Sequence, residues 1–315
     1  MSRETFVPKA FNEEHSRIIE HANELLEDLH AGGFEVTLRS LYYYFVAEDT
    51  WFPNTIQSYK RFGGIINDGR LAGLIDWELL KDRVREVETH PSWNSPTSIM
   101  ESAVDSYQEN LWRGQEKRVH LRIEKDAQIG VVKPACQRWR VPYVACRGNT
   151  SQSEAYEAGK LFARQRRQGL WPVVIYMGDH DPSGVDMTRD NIERLSMFAG
   201  FDVEVHRIAL NRDQIDDLNL PSNPAKLTDS RAGVRRDGSV IPGSYVDIHG
   251  YESWEMDALR PRYVDNLLEE EIMRHIDMDI WDERKAEEAH NQRILRAVYD
   301  RWDEVEEMFG GEDEE

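Results

Sequence analysis

Apolar residues recur at helical spacing through Ile18, Ala22, Leu25 and Leu29, and Asn12 stands where a helix cap belongs. A helix is therefore predicted from Asn12 to about His30, ended by Ala31-Gly32-Gly33. The next run, TLRSLYYYFV from Thr37 to Val46, fits a second helix capped by Thr37. At about 100° per residue, Leu38, Leu41, Tyr42 and Phe45 share one apolar face. Tyr43 falls nearly opposite that face and Tyr44 on its flank, so position alone sets Tyr43 apart. After a polar connection at Pro53-Asn54, a third helix carries Tyr59, Phe62, Ile65 and Ile66. NDGRLAGLIDWELL then reads as a turn between two short helices. Closely spaced helices of this kind suit a DNA-binding module of the helix-turn-helix type.

The pattern changes after HPSWNSPTS, His90 to Ser98, whose Pro, Ser and Asn mark a boundary. A helix is expected from Pro96 to Arg113. Strands follow at Val119–Ile123, Val141–Cys146, Pro172–Gly178 and Val203–Leu210. Between them lie helices at Val131–Trp139, at Ser151–Gln168 with Ser151 and Glu154 in capping-box spacing, and at about Asp186–Phe198. Strands alternating with helices imply a mostly parallel sheet whose reactive loops lie at the strand ends. Beyond Asn211 the pattern loosens into turn-rich loops, and from Pro261 to Phe309 the helices are strongly charged, closing in GGEDEE. The fold class read from this is α/β: a helical module over residues 1–95, an α/β domain with an insertion over 96–260, and a helical acidic extension over 261–315.

Nine tryptophans and 40% hydrophobic residues fit a folded chain. No apolar run is long enough for a membrane span, and MSRETFVPKAFNEE lacks the apolar segment of a secretory signal. The two cysteines, Cys136 and Cys146, have neither zinc-site nor CxxC spacing, which suits buried thiols in a reducing, cytoplasmic setting. The net charge of −20 argues against a nucleic-acid partner until it is located. From Ile241 onward there are 23 acidic and 8 basic residues, a net −15, which leaves only −5 for the first 240. Local potential, rather than the total, decides what such a chain can bind.

The clearest chemistry stands at the end of the third strand, GDHDPSG, Gly178 to Gly184. Residues i and i+2 of an extended segment share an orientation, so Asp179 and Asp181 can face one divalent cation, with His180 turned away. Glu124 directly follows the first strand and can meet them across adjacent strand ends. Carboxylates at that spacing suit Mg²⁺, or Mn²⁺, which also accepts waters and phosphate oxygens. Lys125 and Arg147 stand beside strand ends where they could approach a phosphate, and Asp257 in WEMDALRP could add a carboxylate. The bland reading is a turn at DPSG and a surface Glu124. No H-x-x-x-H or HExxH pattern supports zinc.

VHLRIEKDA (Val119–Ala127) and VVIYMGDHDPSGVDM (Val173–Met187) resemble the two acidic motifs of a Toprim domain. They resemble in particular those of the A subunit of type IIB topoisomerases (topoisomerase VI) and the related meiotic double-strand-break protein. WEMDALRP resembles that family's further acidic segment, and CRGNTSQSEAYEAGK takes the place of its Gly-rich loop. Arg39-Ser40-Leu41-Tyr42-Tyr43 resembles the segment that ends in the family's nucleophilic tyrosine, with Tyr44 as a competitor in register.

The resemblance implies a winged-helix-like DNA-binding module followed by a Toprim domain. Tyr43 is implied as nucleophile on double-stranded DNA, with Glu124, Asp179 and Asp181 as ligands of Mg²⁺; Arg39, four residues before Tyr43 on the same helical side, is a candidate phosphate contact, the plain alternative being a surface salt bridge. The resemblance further implies a homodimer for double-strand cleavage and, for strand passage, a separate ATPase subunit of the GHKL type, since the chain contains no ATPase domain. Two other classes stay open. One is a hydrolytic Toprim nuclease with a structural Tyr43. The other is a DNA-binding or assembly protein that breaks no bond.

Overall fold

The computed structural model describes residues 3, 5–47, 52–80, 92–146 and 152–309. Residues 1–85 and 117–275 form one compact unit, and 86–116 with 276–315 form a second. The expected ranges divided the chain differently: residues 96–116 group with the C-terminal helices, and the helix starting at Pro261 belongs with the sheet.

The first unit begins with α1 (Glu13–Ala31), α2 (Leu38–Ala47) and α3 (Ile56–Leu71). Asn12 caps α1 by accepting the His15 N–H, Thr37 accepts the Ser40 N–H, and Thr55 accepts the Ser58 N–H. Ile18, Ala22, Leu41, Phe45, Phe62 and Ile66 pack into one core. Two expectations fail here. Asn67 to Leu71 continue α3 rather than turning, because Gly69 lets the helix close on Ile19 and Ile75, where an added Cβ would approach within 3.1–3.2 Å. And α2 has no free face: every residue from Ser40 to Val46 is buried, as in a helix surrounded on all sides. Among the described residues, the β structure of this module is a single parallel bridge between Val36 and Leu80. Any wing formed by residues 81–91 lies outside the described residues.

In chain order, α4 (Pro96–Ser106) precedes the sheet and belongs to the second unit. The sheet is built from β1 (Lys117–Ile123), β2 (Tyr143–Ala145), β3 (Trp171–Met177) and β4 (Glu204–Ala209), all parallel, in the order β2-β1-β3-β4. The connections are α5 (Ile129–Arg138), α6 (Gln152–Arg167) and α7 (Pro182–Ala199). β1 and β3 occupy the centre, which is why Val119, Leu121, Ile123 and Val173 to Met177 are buried without alternation. Right-handed crossovers send α5 to one face and α6 with α7 to the other, in agreement with the packing of α6 on α7. The Tyr176/Met177 step of β3 meets a bulge in β4, which re-aims the strand end beside the acidic loop.

The insertion after β4 holds α8 (Arg212–Leu218), the short β5 (Asn223–Pro224), α9 (Tyr245–His249) and β6 (Glu252–Ser253), with β5 and β6 paired antiparallel. α10 (Pro261–Met273) packs on α5 and β4. In the second unit, α4 packs on α11 (Met278–Tyr299), followed by α12 (Trp302–Phe309). The helix expected over Pro96–Arg113 stops at Ser106. The following segment instead bonds α11 and its cap, Gln115 Nε2 donating to Asp277 O at 2.9 Å and Gln292 Nε2 to Tyr107 O at 3.2 Å. No helix of the described residues is long and apolar enough to cross a membrane.

The helical core makes a direct prediction. Phe62 is fully buried against the rings of Tyr42, Phe45 and Phe52. Phe62→Ala should lower unfolding free energy by about 3–5 kcal/mol, seen as a lower urea midpoint at an unchanged m-value.

Candidate active site

Strand order reverses between β1 and β3, since β1 is followed by a strand on one side and β3 continues to the other. The crevice outside the carboxyl ends of these strands is where an open parallel sheet binds ligands. Glu124 and Asp179 stand there. Glu124 still belongs to the ladder, its N–H donating to Met177 O at 2.9 Å, while its Oε2 accepts the Asp179 N–H at 2.8 Å. That close approach depends on glycine. A Cβ on Gly178 would stand 2.7 Å from Glu124 Oε2, and one on Gly184 would overlap the Asp179 carbonyl.

Below the loop lies a charged residue that the sequence pattern did not single out. Arg207, in β4, donates to the carbonyls of Gly184 (2.7 Å), Asp179 (2.7 Å), Gly178 (3.0 Å) and Leu210 (3.1 Å). One guanidinium thus ties together four carbonyls of the turn from strand to helix and of the β4 end. Its signal was an arginine just before the apolar end, Ile208-Ala209-Leu210, of the strand VEVHRIAL.

The acidic residues converge around a lysine. Lys125 Nζ bonds Asp179 Oδ2, and lies 3.2 Å from Glu255 Oε2 and 3.6 Å from Asp257 Oδ2. Glu255 is held in turn by a bidentate pair with Arg39 at 3.0 and 2.5 Å. Asp257, 1% exposed, accepts from Ser40 Oγ at 3.2 Å and Gln128 Nε2 at 2.9 Å through Oδ1. Asp179 Oδ1 accepts the Met256 N–H at 2.9 Å. The helical module therefore joins the sheet's acidic edge through α2, which contributes Arg39 and Ser40.

Several expected roles change. Asp181 takes a second task beside Asp179: it caps α7, which starts at Pro182 rather than at Asp186, and accepts the Gly184 N–H at 2.6 Å. Among the described residues, the ligand atoms of Glu124, Asp179 and Asp181 are not drawn within 4.8 Å of one another. Lys125 and Arg39 are both paired with carboxylates, Arg39 while staying half exposed. Arg147 lies outside the described residues, as does the Ser151 half of the expected capping box. His180 does turn away, onto Leu210 O at 3.1 Å and into the rings of Tyr245 and Trp254.

The tyrosines also differ from the expected arrangement. Tyr42 completes the core, its hydroxyl donating to Pro53 O at 2.9 Å and accepting the Thr55 N–H at 3.3 Å. Tyr44, the competitor in register, is 1% exposed, with the Arg260 guanidinium 5.4 Å from its ring. Tyr43 is set apart from the helical core, as expected, but is only 4% exposed. The insertion covers it, Asn223 Nδ2 donating to its hydroxyl at 3.3 Å. It borders a cleft of about 510 Å³ lined also by Arg39, Asn54, Thr55, Tyr59 and Glu255. Burial raises its pKa, Glu255 adds to the rise, and Asn223 and Arg39 oppose it, so the phenol keeps its proton.

The donor chemistry fits a hard divalent cation in kind. Glu124, Asp179, Glu255 and Asp257 are oxygen ligands, and Asp257 Oδ2 is a buried acceptor without a hydrogen bond. Their charge exceeds what Lys125 and Arg39 neutralise. Burial, with Asp179 and Asp181 nearby, pushes the Glu124 carboxyl up from 4.5 to about 7, and burial raises Asp179 against the pull of Lys125. No protein-family model matches the chain, and no curated protein matches it significantly. Residues and geometry therefore carry the functional reading alone.

The raised Glu124 carboxyl sets a pH dependence. The folded state keeps a proton that the unfolded chain releases above 4.5, so stability is greatest below that value and falls as pH rises towards about 7. With chelator present, the urea midpoint should drop over this window, by roughly 1–3 kcal/mol in stability from this group. Glu124→Gln should flatten the drop, and Mg²⁺ should reverse it in wild type but not in Asp179→Asn. A wild-type midpoint indifferent to both pH and Mg²⁺ would contradict the charge excess.

Proposed function

We propose that the chain cleaves DNA by metal-dependent tyrosine transesterification, with Tyr43 as nucleophile and the carboxylates at the β1 and β3 ends as the metal-binding set. The supporting observation is the direct union of two separately read motifs: α2, carrying Tyr43 and Arg39, bonds the acidic cluster through Arg39–Glu255 and Ser40–Asp257. The sheet would be the Toprim domain that the motifs resemble, and α1 to α3 its winged-helix-like DNA module.

In the reaction, the Tyr43 oxygen forms a bond to a backbone phosphorus, its proton passes to a base, and the bond from phosphorus to a deoxyribose oxygen breaks. The leaving oxygen takes up a proton as a free hydroxyl. The phosphotyrosyl link conserves the phosphoester, so the same atoms reversing direction reseal the strand. Glu124, Asp179 and Asp257, whose oxygens are likewise not gathered within 4.8 Å in this arrangement, would be drawn together to hold Mg²⁺, whose contribution when bound would be neutralisation of charge at the phosphate. Arg39, freed from Glu255, would contact phosphate. One tyrosine cuts one strand, so double-strand cleavage takes a homodimer, and strand passage would take an ATP-driven partner.

The burial of Tyr43 favours a second reading, in which a hydrolytic nuclease uses water and Tyr43 is structural. Denaturant trapping on supercoiled double-stranded DNA with Mg²⁺ or Mn²⁺ separates the two. Transesterification predicts a covalent protein–DNA adduct in wild type, with adduct and cleavage both lost in Tyr43→Phe. Cleavage that persists in Tyr43→Phe and leaves a free 5′ phosphate would establish hydrolysis instead.

A further inference from the structure

Where α10 packs on β4, three ligand-type side chains meet that the cleavage reading does not use. His206 comes from β4, Glu271 from the last turn of α10, and His275 from just beyond it. One ligand atom from each lies within 4.8 Å of the others. Glu271 Oε1 is the common acceptor: His206 Nδ1 bonds it, and His275 Nε2 lies 3.2 Å away. Glu271 and His275 are 4% and 8% exposed, whereas His206 borders a cleft of about 430 Å³.

We propose that His206, Glu271 and His275 form a zinc site that clamps α10 to the edge strand β4. Two imidazoles and one carboxylate are a donor set for zinc, and a poor one for Mg²⁺, which takes oxygens. Three protein ligands leave a fourth position for water from the cleft. The surroundings are organised for this. Glu204 Oε1 bonds the other ring nitrogen of His206 at 2.8 Å, the carboxylate–histidine arrangement that orients a metal-bound imidazole. Arg274 holds Glu271 Oε2 at 2.8 Å, so that Oε1 is the oxygen turned to the two histidines.

In the metal-free arrangement the protons of both imidazoles point at Glu271. On zinc binding those two nitrogens must be unprotonated, and any proton on them passes to solvent or to the ring's other nitrogen, His206 Nε2 towards Glu204 and His275 Nδ1. Lys117, now 3.4 Å from that Nδ1, then turns to Glu204, which it already approaches at 3.5 Å. The site costs this small rearrangement and gains a crosslink between two elements far apart in the chain.

The test uses the full chain, stripped with chelator and titrated with zinc against a chromophoric competitor. One zinc per chain is expected, together with a higher melting temperature. Cobalt in the same place should show the visible absorption of a four-coordinate nitrogen and oxygen site. Glu204→Gln should weaken zinc roughly 10- to 100-fold while keeping all three ligands, and His206→Ala and His275→Ala should weaken it further. Each variant is compared with wild type by urea unfolding in chelator, so that loss of folding is not read as loss of binding. Asp179→Asn should bind zinc like wild type, which separates this site from the acidic cluster. The proposal is overturned by zinc affinity that survives both histidine variants, by affinity that falls in Asp179→Asn instead, or by an absence of stoichiometric binding.

Discussion

An excess of negative charge at the ends of β1 and β3 is the constraint around which the first unit is organised. Glu124, Asp179, Asp181, Glu255 and Asp257 crowd there against Lys125 and Arg39. Like charges in a buried crevice must be spread, paired or protonated. Each occurs: Asp181 is spent on the cap of α7, Asp179, Glu255 and Asp257 share Lys125, and Glu124 is pushed towards its neutral form. A fold selected for stability alone would replace such a cluster with apolar residues, because a buried ionic network rarely repays its desolvation. Its position at the strand-order reversal, where ligands bind, makes function the better account.

The same cluster attaches the helical module. Arg39 and Ser40 reach it from one turn of α2, and the Met256–Ala258 turn presents Asp257 to that helix. The module is therefore not a bead on a linker. Whatever moves Glu255 or Asp257 also moves the helix that carries Tyr43.

Much of this was legible in the chain because it is local. The caps at Asn12 and Thr37, the strands that form β1 to β4, and the placing of Glu124 and Asp179 at strand ends follow from periodicity and short motifs. What failed depended on contacts between distant residues. Helical phase put Tyr43 opposite the α2 core face, and the structure does keep it out of that core, but no periodicity could announce that Asn223 would cover it. The i,i+2 rule aligned Asp179 with Asp181 only while the segment stayed extended. Proline at the first helical position and Asp181 as cap start α7 at once, and that signal was present in DPSG. Glu271 and His275 are four residues apart, but their partner His206 comes from a strand, so no linear zinc pattern exists.

On the transesterase reading, burial and reactivity of Tyr43 are two ends of one motion. The largest cause of its raised pKa is desolvation, the next is Glu255, and the opposing causes are Asn223 and Arg39. Withdrawing α2 from the insertion would remove the first, and separating it from Glu255 would remove the second. Arg39 would remain, one helical turn away on the same helix and now without its carboxylate partner, so its charge would act on the phenol rather than on Glu255. The lost Arg39–Glu255 pair costs little, since Arg39 is half exposed and such pairs are worth about 0–1 kcal/mol. Glu255 would keep Lys125. DNA phosphate is the ligand that could drive the change, because it pairs with the freed guanidinium in place of the carboxylate. The closed form would then be a resting state that keeps a protonated tyrosine out of reach until substrate charge replaces protein charge.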